Sequence, residues 1–443
     1  MKEFFSPEEG ISRDELRRLQ TERLKAIVNY VYEKVPFYRE KFDSAGVKPE
    51  DIKDISDIQK LPFTTKKDIV DSYPLGLLAV PMRDVVRLQS SSGTTGKNIF
   101  VAYTRNDVEL WTIVMARSLW SAGVRADDII QIAYGYGLFT GGLGFHQGAE
   151  RIGATIIPTS SGNTRRQIQI MQDLGTTVLC CTPSYALYIA EVGREMGVDF
   201  ENLPLRVGIF GAEPWSEEMR KEIEEELHLD AINIYGLCEI IGPGVASECL
   251  YKEGMHINED VFYPEIIDPE TGEQLPAGER GELVLTTLTK EAMPLIRYRT
   301  RDICSINPEP CKCGRTFSRL SRIEGRTDDM IIVRGINIFP SQIESVLMSV
   351  DGVAPHYEII VDREKGKLDT LELRVEVSES FLSDEMRDLE ELRQRLEEAL
   401  ESALDISVNL TLAEPRSIPR SEGKARRVID KRELFNKKGG ERK

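Results

Sequence analysis

The residues best suited to chemistry lie in one short loop, whose eight residues carry five hydroxyls, two glycines and a lysine. Hydroxyls, and the backbone N–H groups that glycine leaves accessible, donate hydrogen bonds to phosphate oxygens, and a lysine neutralises their charge. Because only two residues separate the glycines, the loop is not a Walker motif. A serine-rich surface turn between two strands has the same composition, so the loop alone leaves both interpretations open. The loop consists of Ser90, Ser91, Ser92, Gly93, Thr94, Thr95, Gly96 and Lys97.

Three cysteines and a histidine have the chemistry of metal ligands. One residue separates Cys311 from Cys313, and six residues separate Cys249 from His256. Three thiolates and one imidazole suit a closed, tetrahedral Zn²⁺ site with a structural role, although a C-x-C pair alone is modest support. The chain has seven cysteines, an odd number, and its N-terminus lacks the apolar core of a signal peptide. We therefore expect reduced thiols or metal ligands in a cytoplasmic protein and no disulfide framework.

A strand and a capped helix are predicted after the loop. Residues 99–103 are apolar and β-prone, which indicates a strand and not a helix. Thr104 and Asp107 then form a capping-box pattern, which predicts a helix start. Ser12 and Glu15 form the same pattern ahead of an apolar periodicity, so a long helix is expected near the N-terminus.

Strand-like and helical runs alternate through the middle of the chain. This alternation predicts βαβ units and a mainly parallel sheet covered by helices on both faces. The predicted strands are 129–133, 154–158, 177–181, 206–210 and 231–235, and the predicted helices are 165–174, 183–196 and 216–227.

The pattern changes after about Gly254 to short strands and turns, and from about Asp329 it indicates a separate α+β unit. Strands are expected there at 356–361, 370–377 and 406–412. A helix is expected between the last two strands, capped by Ser383 and with one apolar face formed by Met386, Leu389, Leu392, Leu396 and Leu400.

The fold class expected from these patterns is α/β with two domains. A large N-terminal domain (1–327) would contain mainly parallel sheets covered by helices and a small β-rich part. A smaller C-terminal α+β domain would span 328–443. The net charge of −17 disfavours nucleic acid and anionic membrane surfaces as partners, and no apolar run is long enough to span a bilayer.

Five segments, taken in order, resemble the motifs of the adenylate-forming superfamily, which includes acyl-CoA synthetases, luciferases and peptide-synthetase adenylation domains. They are SSSGTTGK (90–97), YGLCE (235–239), YRTRD (298–302), GRTDDMIIVRG (325–335) and PRSEGKARR (419–427). The stretches YGYGLFTGGLGFHQG, FGAEPWS, YGLCEIIGPGVASEC and GINIFPSQIE are similar, more narrowly, to those of phenylacetate–CoA ligases.

The resemblance implies a nucleotide site. The Ser/Thr/Gly loop would hold the β- and γ-phosphates of ATP, Glu239 would hold Mg²⁺, and Asp302 would accept hydrogen bonds from both ribose hydroxyls. For Glu239 the alternative is a solvated carboxylate after a strand. Arg326 would contact ribose or phosphate, and adenine would be framed by Ala212, Glu213, Pro214, Tyr235 and Gly236.

The same resemblance assigns catalysis to Lys424, which would bridge the acid and the α-phosphate, and a hinge to Asp328. The hinge would make the C-terminal domain mobile, so that it swings between two half-reactions. An ordinary basic tail would also place several cations around Lys424.

Aromatic residues in the glycine-rich segment 134–148 are candidates for the acid pocket. The resemblance favours a pocket lined by Tyr134, Tyr136 and Phe139, although most aromatic side chains belong to cores. His146 is expected either to orient the acid or to be a satisfied structural histidine. Cys238 departs from the superfamily, which usually has threonine or serine at this position, so the role of that hydroxyl is in doubt.

The expected function is ATP-dependent ligation of an aryl-acetic acid, favoured to be phenylacetate, to coenzyme A, with release of AMP and diphosphate. Alternatives are an adenylyltransferase of the deazaflavin-cofactor type, a ligase for another aromatic acid, and a non-catalytic binding protein on the same fold. No carrier domain follows Lys443, so the thiol acceptor is expected to be separate. A homodimer is expected from the resemblance.

Overall fold

The computed structural model describes residues 4–91, 99–327, 329–333, 336–363, 369–378, 381, 386–404, 406–422, 425 and 427–432. Two compact units divide the chain. The first consists of residues 1–181, 201–212 and 229–323, and the second of residues 182–200, 213–228 and 324–443. The sequence predicts a different boundary, between residues 327 and 328, at which the C-terminal domain would move independently. That boundary stays a prediction.

Ten α-helices occur among the described residues. They are α1 (Arg13–Lys34), α2 (Pro36–Ser44), α3 (Lys66–Asp71), α4 (Arg105–Ser121), α5 (Thr140–Ile152), α6 (Thr164–Leu174), α7 (Pro183–Glu195), α8 (Glu217–Leu227), α9 (Pro340–Met348) and α10 (Met386–Leu404). Short 3-10 turns are Pro7–Gly10, Pro49–Asp51, Ile55–Lys60, Met82–Asp84 and Phe200–Asn202.

The described strands are mostly short. They are β1 (Val85–Ser90), β2 (Phe100–Thr104), β3 (Ile129–Ile132), β4 (Thr155–Ile157), β5 (Val178–Cys181), β6 (Val207–Gly211), β7 (Asp230–Leu237), β8 (Gly242–Ser247), β9 (Met255–Ile257), β10 (Phe262–Ile267), β11 (Gly281–Thr287), β12 (Tyr298–Cys304), β13 (Ile306–Asn307), β14 (Arg319–Leu320), β15 (Gly325–Arg326), β16 (Ile331–Val333), β17 (Ile336–Ile338), β18 (Val353–Asp362), β19 (Thr370–Val377), β20 (Asn409–Ala413) and β21 (Val428–Asp430).

Both predicted capping boxes are present. Ser12 caps α1 and exchanges side-chain and backbone hydrogen bonds with Glu15. Thr104 does the same with Asp107 at the start of α4. Each box satisfies backbone N–H groups that a helix start leaves without an intrahelical acceptor.

A nine-stranded sheet is the centre of the first unit, with the order β13-β14-β9-β8-β7-β6-β5-β3-β4. Strands β4, β3, β5, β6 and β7 run parallel, as the alternation predicts. Beyond β7 the pairing becomes antiparallel through β8, β9, β14 and β13. The α/β fold class is therefore confirmed, and the change of direction at β7 coincides with the YGLCE motif.

Two smaller antiparallel groups complete the first unit. Strands β1 and β2 pair antiparallel, with Ser90 opposite Phe100, so the phosphate-type loop connects two paired strands. Strands β10, β11 and β12 pair antiparallel and correspond to the β-rich part expected after Gly254.

The second unit contains the predicted α+β tail. Its sheet has the order β20-β19-β18-β21, with β18 and β19 antiparallel and the outer pairs parallel. The apolar face of α10 is buried through Leu392, Leu396 and Leu400. The last predicted strand begins three residues later than expected, at Asn409, and Ser383 lies outside the described residues.

Helix α5 was not expected, because its sequence contains four glycines, which are poor helix formers. Two of them explain the packing of α5 on α4. A Cβ on Gly144 would lie 2.7 Å from Cζ2 of Trp111, and one on Gly148 would lie 2.7 Å from Cβ of Met115. Close approach of the two helices therefore outweighs the low propensity. In the part of the chain that the structure describes, no helix is long and apolar enough to cross a membrane.

Candidate active site

The strand before the phosphate-type loop is bonded to the predicted acid-binding segment. The backbone N–H of Ser90, the last residue of β1, donates to the carbonyl of Leu138 at 2.8 Å. The buried side chain of Gln89 donates through Nε2 to the carbonyls of Gly137 (3.2 Å) and Phe139 (3.1 Å). These bonds hold the start of the loop beside the glycine-rich segment.

Within the loop, only the first two residues are described, and Ser92, Gly93, Thr94, Thr95, Gly96 and Lys97 lie outside the described residues. The backbone N–H of Ser91 donates to the carbonyl of Ile99 at 3.1 Å. Its Oγ is buried and has no hydrogen-bond partner among the described residues. The strand predicted at 99–103 is present as β2.

Cys238 connects three of the sequence motifs. Its Sγ lies 3.2 Å from Oγ1 of Thr140, the first residue of α5, and 3.8 Å from the carbonyl oxygen of Ser90. The end of β1, the start of α5 and the YGLCE motif therefore meet at one buried thiol. Burial raises the pKa of this thiol to about 11, with a smaller opposing effect from Thr140 and a further increase from Glu239.

Glu239 lies half-buried just after β7, and no described residue donates a hydrogen bond to its carboxylate. Its backbone is fixed by a lysine that the sequence patterns did not indicate. Lys290 is 1% exposed, and its Nζ donates to the carbonyls of Ile240 at 2.7 Å and Glu239 at 3.1 Å. Burial lowers the pKa of Lys290 to about 8, although Asp107 and Glu239 act in the opposite direction.

Asp302 and Tyr235, two predicted nucleotide ligands, contact each other. The Tyr235 hydroxyl donates to Oδ2 of Asp302 at 2.5 Å, and both side chains are buried. Burial, and then the charge of Asp302, raise the pKa of Tyr235 well above its ordinary value. Arg301 has a φ of 71°, a strained value for a residue with a side chain, beside the aspartate. The two motifs YGLCE and YRTRD are thus joined by one short hydrogen bond.

Gly236 is required where it stands. A Cβ at this position would lie 1.9 Å from the carbonyl oxygen of Gly242 on the paired strand β8. Ala212, at the end of β6, has a φ of 74° in the left-handed region. Both residues are predicted to frame adenine, and both have backbones that a larger or more restricted residue would strain.

Of the predicted acid-pocket residues, Tyr134 is a core aromatic. It is 4% exposed, and its ring stacks on Phe145 with centroids 5.0 Å apart. Its hydroxyl donates to the carbonyl of Gly211 at 3.3 Å. Phe139, in contrast, is 37% exposed. Phe139 therefore has surface that a ligand can contact, whereas Tyr134 has little.

Tyr136, which precedes α5, is hydrogen-bonded to a polar pair on that helix. Its hydroxyl lies 3.2 Å from Nδ1 of His146, and Nε2 of His146 lies 3.3 Å from Oε1 of Glu150. A Cβ on Gly142 would lie 3.0 Å from the Tyr136 ring, so the ring lies directly on this glycine. His146 is thus a hydrogen-bonded histidine beside a predicted pocket residue, which fits either of the two roles expected for it.

In the second unit, Glu213 is bonded to the C-terminal part of the chain. Its carboxylate accepts hydrogen bonds from the backbone N–H of Ser184 at 2.8 Å and of Ala425 at 3.0 Å. Ala425 directly follows Lys424, and both Lys424 and Asp328 lie outside the described residues. Their catalytic and hinge roles stay predictions.

Two further nucleotide candidates lie in the second unit. Arg326, in β15, has its Nε 3.6 Å from Oδ2 of Asp329. Pro214 follows Glu213 between the end of β6 and the start of α8. No described contact tests the adenine or ribose roles of these residues.

The four predicted zinc ligands form one cluster. Their ligand atoms all lie within 4.8 Å of one another. The sulfurs of Cys249 and Cys311 are 3.8 Å apart, and Sγ of Cys313 lies 3.4 Å from Nε2 of His256. Two sulfurs bound to one tetrahedral zinc, each at about 2.3 Å, are about 3.8 Å apart. Nδ1 of His256 faces the carbonyl of Phe317 at 3.4 Å, which leaves Nε2 for the cluster.

The loop carrying two of these cysteines is anchored to the start of the chain. Nε of Arg315 lies 2.6 Å from Oε2 of Glu9, and both side chains are buried. The backbone N–H of Thr316 donates to the carbonyl of Glu9 at 3.0 Å. A buried ion pair thus fixes the segment next to the cysteines.

Comparison with known proteins identifies the family of the chain. Residues 16–288 match the family described as AMP-binding enzyme, and residues 335–432 match the AMP-binding enzyme C-terminal domain. The phenylacetate-coenzyme A ligase of Thermus thermophilus is 51% identical, over 97% of this chain and 99% of that protein. The phenylacetate-coenzyme A ligase of Escherichia coli is 50% identical, over 97% and 98%.

A crystal structure of 2-hydroxyisobutyryl-CoA ligase in the postadenylation state resembles this protein, with a TM-score of 0.91 and 29% identity. The likeness covers 99% of this chain and 96% of that one. The chain belongs to the phenylacetate–CoA ligases, within the AMP-binding enzyme family.

Proposed function

We propose that this enzyme activates phenylacetate with ATP and transfers the acyl group to coenzyme A. The carboxylate of the acid attacks the α-phosphorus of ATP, and pyrophosphate leaves. The thiol of coenzyme A then attacks the acyl carbon of the adenylate, and AMP leaves. The observation that carries this proposal is the junction at Cys238, where the predicted phosphate, acid and metal motifs meet. The high identity to named phenylacetate–CoA ligases supports the choice of acid.

The described residues fit a magnesium nucleotide. The carboxylate of Glu239 is half-buried and accepts no hydrogen bond from a described residue, so its oxygens are available to coordinate a metal ion. Mg²⁺ bound there with ATP would neutralise charge on the phosphate oxygens. Asp302, bonded to the Tyr235 hydroxyl, is the carboxylate that would accept hydrogen bonds from the ribose hydroxyls. Ser90 to Lys97 hold the phosphates, and Arg326 contributes a further cation.

Two anions must meet in the first half-reaction, and Lys424 supplies the positive charge that lets them approach. Asp328 supplies the hinge at which the C-terminal domain turns between adenylation and thioester formation. Adenine lies against the backbone of Ala212, Glu213, Pro214, Tyr235 and Gly236. These roles rest on the resemblance of the motifs.

For the acid, we propose a pocket at the glycine-rich segment, formed by Phe139 and Tyr136. The exposed ring of Phe139 and the half-buried ring of Tyr136 support this assignment. Tyr134 supports the pocket from behind, since its ring is packed on Phe145.

We also propose that the cluster of Cys249, His256, Cys311 and Cys313 binds one structural Zn²⁺. The chemistry of the donors and their spacing fit a closed tetrahedral site without an open position for substrate. A cytoplasmic location and a homodimer complete the proposal and rest on the sequence alone.

A panel of acids tests the function. Pyrophosphate release and coenzyme A-dependent AMP release are measured with phenylacetate, benzoate, 3-phenylpropionate and 2-hydroxyisobutyrate. Phenylacetate should give the highest kcat/KM in both assays. Adenylation without coenzyme A-dependent AMP release would instead indicate an adenylyltransferase. A higher kcat/KM for another acid would contradict phenylacetate as the substrate.

A further inference from the structure

Two carboxylates of the second unit hold the chain on both sides of Lys424. Glu191, on α7, pairs with Arg420, four residues before the lysine. Glu213, ahead of α8, accepts a hydrogen bond from the backbone N–H of Ala425, the residue directly after it. Helix α7 and the segment before α8 thus contact the chain at Arg420 and Ala425, two described residues within a stretch of six.

The contact at Glu191 is bidentate and half-buried. Nε and Nη2 of Arg420 lie 2.9 and 2.8 Å from the two carboxylate oxygens. Burial opposes ionisation of Glu191, yet the hydrogen bonds from His356 and Arg420 hold its pKa at about 2. The carboxylate is therefore charged at neutral pH. Planar, paired hydrogen bonds of this kind fix orientation as well as distance.

Arg420 is also fixed from its other side. Its Nη1 lies 2.8 Å from Oε1 of Glu376, a buried carboxylate on β19. The same carboxylate accepts the backbone N–H of Ile418 at 2.6 Å and of Arg416 at 3.0 Å. The chain entering the motif is thus already ordered on its own sheet, and Glu191 ties Arg420 to α7.

The contact at Glu213 is reinforced by further hydrogen bonds. Besides Ala425, the Glu213 carboxylate accepts hydrogen bonds from the backbone N–H and the hydroxyl of Ser184, the second residue of α7. Arg427, two residues after Ala425, reaches the Ser184 hydroxyl at 3.4 Å and the Tyr357 hydroxyl at 2.6 Å. The chain leaving the motif is therefore bonded to the start of α7.

We propose that Glu191 and Glu213 are positioning residues for adenylation, which hold the segment carrying Lys424 from both ends. Neither contacts the reacting atoms. This inference rests on the proposed role of Lys424. A positioned cation is needed in the first half-reaction, where two anions meet, and not when a neutral acyl carbon is attacked by a thiol.

The test separates the two half-reactions. Pyrophosphate release is measured with phenylacetate and ATP, and thioester formation is measured with supplied phenylacetyl-adenylate and coenzyme A. Glu191→Gln should lower the first by about 10- to 100-fold, the range expected for small misplacement of a catalytic group, and leave the second unchanged. The matched control is Glu195→Gln, one turn further along α7. Its carboxylate pairs with Arg416 at 2.6 Å. The substitution leaves the pair of Glu191 and Arg420 in place, so both rates should stay at the wild-type level.

Glu213→Gln is the second variant. It provides the deciding test in case Glu191→Gln has a strongly lowered melting temperature. Glutamine can still accept from Ser184, but its amide nitrogen cannot accept from Ala425, so the same selective loss is expected. Unchanged adenylation in folded Glu191→Gln and Glu213→Gln, or equal loss of both half-reactions, would overturn the inference. Lys424→Ala is the reference. If Lys424→Ala loses adenylation selectively and the two glutamate variants do not, only the positioning role is overturned. If Lys424→Ala loses both half-reactions equally, the proposed role of Lys424 is overturned, and this inference with it.

Discussion

Tyr235 and Asp302 illustrate how a single hydroxyl can orient a charged ligand group. The aspartate lies in β12 and the tyrosine in β7, in two different sheets. Their 2.5 Å hydrogen bond leaves the carboxylate one fixed orientation. An ionised acceptor makes such a bond stronger than a neutral pair would. In the proposed nucleotide site, the tyrosine hydroxyl would thus contribute to ATP binding through the aspartate.

Replacing Tyr235 with Phe should raise KM for ATP about tenfold, since a hydrogen bond to a charged group contributes about 1.5–3 kcal/mol. The value of kcat should change much less, because the reacting atoms are not contacted. Pyrophosphate release at varied ATP measures both. The control is Tyr263→Phe, because the Tyr263 hydroxyl has no hydrogen bond to any described residue. An unchanged KM in Tyr235→Phe would show that Asp302 does not depend on this bond.

At the scale of residues, the motifs indicated the candidate side chains but not the residues that support them. The pairing of Tyr235 with Asp302 depends on the placement of two sheets, which no local pattern contains. Lys290 and Gln89 were missed for the same reason. Each reaches backbone carbonyls of a segment about 50 residues away in sequence. Carbonyl acceptors carry no sequence signal, because every residue has one.

Among the elements, α8 carries an acidic cluster with a measurable consequence. Glu222 is held near other carboxylates. Burial, and then repulsion from Glu226 and Glu225, raise its pKa from 4.5 to about 7. The folded protein therefore binds this proton more tightly than the unfolded chain. The carboxyl costs no stability below pH 4.5, costs progressively more between pH 4.5 and 7, and carries its full cost above pH 7.

Glu222→Gln should therefore stabilise the protein by about 1–3 kcal/mol at pH 8 and give no gain near pH 4.5. Melting temperatures of the variant and the wild type across this range measure the effect. Glu225→Gln should give a smaller gain in the same pH window, because it removes one repelling neighbour. A gain for Glu222→Gln that is equal at both pH values would contradict a raised pKa.

The proposed zinc links the end of β8 and strand β9 to the loop between β13 and β14. We expect about one zinc per chain, because the four ligands close a single site. Chelation or Cys311→Ser should lower the melting temperature, since a metal that binds only the folded arrangement stabilises it. Protein that remains folded should keep most of its adenylation rate.

Elemental analysis of protein purified without chelator checks the metal content directly. Cys304→Ser is the control, because Cys304 is a buried thiol on β12 outside the cluster, and its variant should retain the metal. Protein without zinc would refute the site. Loss of adenylation at unchanged stability would show that the metal has another role.

The elements themselves were largely predictable, because capping boxes and the alternation of strands and helices are local patterns. Helix α5 is the main exception. Its glycines predict no helix, and two of them, Gly144 and Gly148, are needed where α4 lies against it. The antiparallel half of the large sheet was also missing from the prediction, since short strands leave the order of pairing open.

For the whole molecule, the central expectation is movement at Asp328, which lies outside the described residues. Asp328→Pro should lock one backbone angle, because proline fixes φ near −65°. We expect adenylate to form and remain bound, with little thioester produced. Rapid-quench measurement of bound adenylate and of thioester separates the two steps. Turnover with coenzyme A at the wild-type rate would show that the hinge is elsewhere.

The buried pair of Glu9 and Arg315 has a consequence for synthesis of the chain. The two residues are 306 positions apart. At about 5–20 residues per second, a ribosome delivers Arg315 roughly 15–60 s after Glu9. During that interval Glu9 has no arginine partner, because the loop that carries Cys311, Cys313 and Arg315 does not yet exist. The first unit can therefore be completed only late in translation.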